Sequence, residues 1–244
     1  MARLPRSVVA GLPHFVIHRG LNGQVVFHDD IDRRRYAAAL LQASREAGVA
    51  VHGYGLCRDE VRLLLTPQSA PSLTLMMQSI GRRYVRAHNV RHGRSGTPWD
   101  GRFRSTVIDA PQWFMRCLHY AEGGGAASCT VDDPSSFEPV FTADQHTSSA
   151  AHHLGLHMND SIVEHELFWA IGNTPFDRAV AYRRVLAQPL TSATVERIRN
   201  ATLKGWALGD SAFARSIAAL TGRRLEPLSR GRPALSAKAT SCDF

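Results

Sequence analysis

The stretch Tyr54-Gly-Leu-Cys-Arg-Asp-Glu-Val-Arg-Leu-Leu-Leu-Thr-Pro67 decides the fold. It reads as the end of one strand, Val49 to Leu56, a tight turn, and a second strand, Glu60 to Thr66. Residues i and i+2 of a strand project from one face. Glu60 and Arg62 therefore stand side by side on one face of the second strand.

On the N-terminal side, His14 to Arg19 reads as a strand and Gly20 to Gly23 as a turn. Asp29 or Asp30 caps a helix running to about Ala47, and Gly48 ends it. On the C-terminal side, Pro71 or Ser72 opens a long helix through Leu75, Met76, Ile80, Tyr84 and Val85. Phe103 to Ile108 is a further strand, and Pro111 opens a helix carrying Tyr120. The order β-α-β-β-α-β-α predicts an α+β fold, a mostly antiparallel sheet flanked by helices.

Residues 123 to 160 begin with a glycine run and continue with Asp132-Asp133-Pro134-Ser135-Ser136, which suits a linker and loop. His153, His157 and Asp160 fall within it; on a helix they would share one face and suit a metal site, but in a polar, loop-like segment a solvated cluster is expected. Helices are predicted over Glu164 to Ile171 and Phe176 to Leu186. Two more follow, around Val195, Ile198 and Thr202, then from an Asp210 cap to a Gly222 stop. This last pair suits either a helix-turn-helix or a plain packing module. The predicted divisions are an α+β domain at 1–125, a linker at 126–160, a helical C-terminal region at 161–222 and a basic tail at 223–244.

The chain has 244 residues, a net charge of +8 and a pI near 9.9, which favours a polyanionic partner. Nearly all the positive charge is arginine; Lys204 and Lys238 are the two lysines. Seven arginines fall between Gly81 and Arg104, with Tyr84, Trp99 and Phe103 interleaved. Arginines clasp phosphates and aromatic faces stack on bases. Arg82, Arg83, Tyr84, Arg86, Arg102 and Arg104 are thus candidate DNA contacts, against the plainer reading of a solvated arginine face over an aromatic core. In the tail, Arg230-Gly-Arg-Pro233 suits a minor-groove hook or a simple basic tail. The four cysteines (Cys57, Cys117, Cys129 and Cys242) lack metal-ligand spacing, so free thiols are expected. No signal peptide or membrane span is read in the chain.

Several of these segments resemble the single-tyrosine HUH transposases, most closely the REP-associated tyrosine transposase group. The resemblance is carried by the Tyr54–Pro67 stretch, by Gly81-Arg-Arg-Tyr-Val-Arg86, by Trp99-Asp-Gly-Arg-Phe-Arg-Ser105, by the run around Tyr120 and by Gly205-Trp-Ala-Leu-Gly209. It implies the HUH (ferredoxin-like) sheet and a bacterial, cytoplasmic, nucleoid-associated DNA-binding protein. In that group two histidines stand where this chain has Glu60 and Arg62, and they hold a divalent cation that polarises a phosphodiester. A polar residue aids the metal where this chain has Gly124, and Tyr120 falls on the nucleophilic tyrosine. An arginine has no lone pair to offer a cation. Losing about 4 kcal/mol of Lewis-acid stabilisation costs about a thousandfold in rate.

The resemblance with these departures implies a transposase-derived DNA-binding protein without cleavage and needing no cofactor; losing catalysis while keeping the basic surface leaves binding, and hence transcriptional regulation, as the expected function. The alternative is an active transposase that cuts single-stranded hairpin DNA through Tyr120; a divalent cation enters only there. A small effector in the altered pocket, or a decayed protein, are further readings. Tyr120 itself is read either as the ancestral nucleophile or as a helix residue kept for packing. The target sequence, oligomeric state and sense of regulation leave no mark in the sequence.

Overall fold

The computed structural model describes residues 7–123 and 147–227. The first strand, β1 (His14–Arg19), leads through a short turn into α1 (Asp30–Ala47). The Asp29 carboxylate caps that helix by accepting from the backbone N–H groups of Ile31 and Asp32 at 2.9 and 3.2 Å. Gly48 closes it in the left-handed region, at φ 63°. The hairpin β2 (Val49–Leu56) and β3 (Glu60–Pro67) follows, then α2 (Ser72–His92), β4 (Arg104–Val107) and α3 (Ala110–Glu122). The four strands form one antiparallel sheet in the order β2-β3-β1-β4. This is the expected α+β arrangement.

The sheet is covered on both faces. Val61, Leu63 and Leu65 of β3 join Val16, Val51, Tyr54 and Leu56 in a core shared with α1 and α2. Phe15, Ile17 and Leu64 face the other way, toward α3 and a C-terminal helical set. That set comprises α4 (Ala150–His153), α5 (Glu166–Trp169), α6 (Pro175–Leu186), α7 (Ser192–Lys204) and α8 (Ser211–Thr221). The α6 helix starts with a capping box between Thr174 and Asp177, and Asp210 caps α8. The predicted helix at Glu164 to Ile171 is confined to the four residues of α5.

Residues 147–160, expected as the end of a linker, pack on the sheet. Ser148 bridges Gly55, the Ser149 N–H donates to Tyr54 O at 3.1 Å, and Leu154 is buried. The expected solvated cluster divides. His157 and Asp160 are exposed, but His153 is buried with its Nδ1 2.7 Å from Glu122 Oε1. Glu122 also accepts from Ser149 Oγ and Tyr182 O–H, so one buried carboxylate ties α3, α4 and α6 together.

Helices α7 and α8 and their turn are docked on the sheet edge. The Leu208 N–H donates to Val107 O at 2.9 Å, and Ile198 and Ala201 belong to the second core. Gly205 ends α7 at φ 68°, and the turn that follows runs alongside β4. Cys117 is a buried free thiol, whereas Cys57 is disulfide-bonded, which corrects the expectation of free thiols there. Cys129 and Cys242 lie outside the described residues. No helix among the described residues is long and apolar enough to cross a membrane.

Candidate functional site

The two-residue period of β3 puts Glu60 and Arg62 on the face that meets α3 and α7. In register, Arg19 of β1 lies opposite Glu60 and Ile17 opposite Arg62. Helix α3 lies unusually close above, because β2 offers Gly53 and Gly55 beneath it. A Cβ on Gly55 would sit 1.9 Å from the Ala121 carbonyl oxygen, and one on Gly53 would sit 2.3 Å from Leu118 Cδ1. This close approach lowers Tyr120 onto the strand pair, with its ring 5.7 Å from that of Phe15.

Of the predicted nucleophile and metal positions, the three within the described residues, Glu60, Arg62 and Tyr120, come together and are buried, at 3%, 2% and 1% exposure. Arg62 Nε donates to Glu60 Oε1 at 2.8 Å, and its Nη1 donates to the Tyr120 carbonyl at 3.1 Å. The same guanidinium lies 4.2 Å from the centre of the Tyr120 ring. Two further arginines complete the cluster. Arg199 of α7 donates through Nη1 to Glu60 Oε1 at 3.0 Å and to the Tyr120 hydroxyl at 2.7 Å. Arg19 Nε reaches Glu60 Oε2 at 3.4 Å.

Burial pushes the Glu60 carboxyl up, but the Arg62 and Arg199 guanidiniums outweigh it and hold the group below its ordinary value. Arg199 answers in kind. Burial lowers it, and Glu60 with Tyr120 raises it above the usual arginine value.

One carboxylate thus faces three guanidiniums within 3.4 Å. The residues do not fit a divalent cation. Glu60 is already saturated by donors, Arg62 offers no lone pair, and the fixed charges repel a metal ion. Gly124, expected at the third ligand position, lies outside the described residues.

Sequence reasoning missed Arg19 and Arg199. Arg199 is 139 positions from Glu60 along the chain. On α7 it looks like any polar residue beside Ile198 and Ala201, so no local spacing marks it.

The arginine-rich segment separates into two groups. Arg82 and Arg86 are exposed one turn apart on α2 and line a shallow groove with Gln78, Val85, Thr97 and Trp99. Arg102 and Arg104 are exposed before and at the start of β4. Arg83 is instead clamped between helices, donating through Nη2 to both Glu46 carboxylate oxygens at 2.9 and 3.1 Å. Tyr84 is buried against Phe27, Tyr36 and Trp99, and its hydroxyl donates to Val26 O. It leaves no ring face for a base. Arg230 and Arg232 lie outside the described residues.

No protein-family model and no curated protein matches the chain. Among solved structures it is similar to a REP-associated tyrosine transposase bound to a REP hairpin. That likeness has a TM-score of 0.42 and 12% identity over 50% of this chain and 70% of that one. It is also similar to a protein of Deinococcus radiodurans R1 described as a candidate transposase, with a TM-score of 0.34 and 20% identity over 47% of this chain and 93% of that one. Neither likeness carries a residue role to this chain.

Proposed function

We propose that this is a transposase-derived protein that binds DNA without cutting it and regulates transcription on the nucleoid. The observation that carries the proposal is the closed cluster of Glu60, Arg62 and Arg199 around a buried Tyr120. A tyrosine must leave such a cluster to reach a phosphodiester, and a metal-assisted path has no ligand set here. What remains available for function is the positive surface. The charge of +8 and the exposed Arg82, Arg86, Arg102 and Arg104 support a nucleic-acid partner.

A second reading rests on one contact. The Arg199 guanidinium, 2.7 Å from the Tyr120 hydroxyl, is placed to stabilise a phenolate or a phosphorane-like charge in place of a metal. It makes the protein an active hairpin-cutting transposase with Tyr120 as nucleophile. The packing of Glu60, Arg62 and Tyr120 gives no support to a small effector at this position.

The surface is tested by replacing Arg82 and Arg86 with alanine together. Affinity should fall on every sequence tried. The slope of log affinity against log salt should shrink by about 0.9 per lost phosphate contact on duplex and about 0.7 on single strands. Unchanged affinity and slope would remove this face from the DNA surface. A genome-wide map of bound DNA then separates regulation, which expects peaks at promoters, from the second reading, which expects them at palindromic repeats.

A further inference from the structure

A second cluster lies away from Tyr120, where the segment before α1 meets the last turns of α2. His28 precedes the Asp29 cap, and His88 and His92 sit four residues apart on one face of α2. One ring nitrogen from each of the three lies within 4.8 Å of the other two. The His28 and His88 ring centres are 4.3 and 4.6 Å from that of His92.

His88 is the telling member. It is 1% exposed, yet neither ring nitrogen has a hydrogen-bond partner. Buried imidazoles generally find hydrogen-bond partners, so one with neither nitrogen partnered beside two other histidines points to a ligand. His92 points the same way. Its Nε2 lies 3.1 and 3.0 Å from the two oxygens of Asp32, which leaves the other nitrogen for a metal. Asp32 is itself fixed by the His28 backbone N–H at 3.0 Å and by Arg91 Nη1 at 2.7 Å. A carboxylate behind a ligating histidine sets its ring orientation and raises its basicity.

We propose that His28, His88 and His92 form a three-histidine site for a zinc-class divalent cation, with Asp32 as the outer partner of His92. Neutral imidazoles suit zinc, cobalt, nickel and copper. Tetrahedral Zn–N bonds of about 2.0–2.1 Å place ligand nitrogens roughly 3.3 Å apart, so small ring rotations close the site. His28 is exposed, leaving the fourth position to water. Nearby Asp29 and Asp32 are balanced by Arg91 and Arg94, so the local field does not expel a cation. Loading fastens the segment before α1 to the end of α2, from which the segment leading to Arg102 and Arg104 departs. The site does not depend on the reading of Tyr120.

The test uses the untagged full-length chain, stripped with a chelator and titrated with Co²⁺ and Zn²⁺. Co²⁺ should give the intense visible bands of tetrahedral coordination, and calorimetry should find one tight Zn²⁺ per chain. At free Zn²⁺ of about 100 times Kd, the folded-to-unfolded ratio should rise about a hundredfold. His28→Ala and His92→Ala, both at accessible positions, should abolish the cobalt bands and the tight step. Asp32→Asn should weaken binding by about 10- to 100-fold. His157→Ala, at an exposed histidine outside the site, should change nothing. Absence of saturable binding in the parent protein overturns the proposal, as does binding that survives in both histidine variants. If His88→Ala does not fold, the other two variants still decide.

Discussion

Replacing Glu60 by alanine should lower the melting temperature by roughly 6 to 20 °C. The carboxylate accepts from Arg62, Arg199 and Arg19, and its side chain is 4% exposed. Without it Arg62, at 3% side-chain exposure, loses the carboxylate 2.8 Å from its Nε. Breaking a buried ion pair by removing one partner costs about 3–5 kcal/mol. In a protein of this size each kcal/mol moves the midpoint by about 2–4 °C.

The pH dependence has a definite sign. Folding holds the Glu60 carboxyl below its ordinary value of 4.5. A depressed carboxyl contributes stability that is complete above that ordinary value and is lost as pH falls toward the native one. The parent protein should therefore weaken progressively below about pH 4.5, and Glu60→Gln should show a flatter acid limb. Denaturant midpoints measured across that range check both statements. A Glu60→Ala protein as stable as its parent would mean that the cluster contributes nothing.

The next largest effect belongs to Gly55→Ala. The added methyl would stand 1.9 Å from the Ala121 carbonyl oxygen, and the obstacle is helix backbone rather than a flexible side chain. Over-packing commonly costs about 1–3 kcal/mol, and rigid backbone on both sides places this change near 3 kcal/mol. Since α3 must move away, the Tyr120 hydroxyl should also lose its alignment with Arg199. Gly81→Ala is the control. It is on α2 with open space around its Cβ and should leave stability unchanged or raise it by about 0.5–1 kcal/mol. Equal behaviour of the two alanine variants in thermal melts would contradict the close-approach account.

Much of the fold was legible because its signals are local. Asp29 and Gly48 bracket α1, Asp210 and Gly222 bracket α8, and the apolar positions of β3 alternate with Glu60 and Arg62. The pairing of Glu60 and Arg62 with Tyr120 was also legible, from strand period and resemblance together. What escaped the sequence depends on distant parts meeting. Arg199 closes the cluster from α7, and Glu122 buries His153 against Tyr182. Residues 147–160 look polar and loop-like, yet their backbone finds partners on β2. Tyr84 and Arg83 sit in a run that reads as a DNA surface. Their position around the helix turns one to the core and the other to Glu46. The triad of His28, His88 and His92 joins two elements that no short spacing connects.

The central claim is that the cluster around Tyr120 holds DNA-binding without strand cleavage. The direct measurement incubates the full-length protein with single-stranded hairpin DNA and Mg²⁺ or Mn²⁺, then resolves cleaved strands and covalent protein–DNA adducts on a denaturing gel. The account predicts hairpin or duplex binding with neither product, for the parent and for Tyr120→Phe alike. A covalent adduct formed by the parent and absent from Tyr120→Phe would contradict it and establish Tyr120 as a working nucleophile.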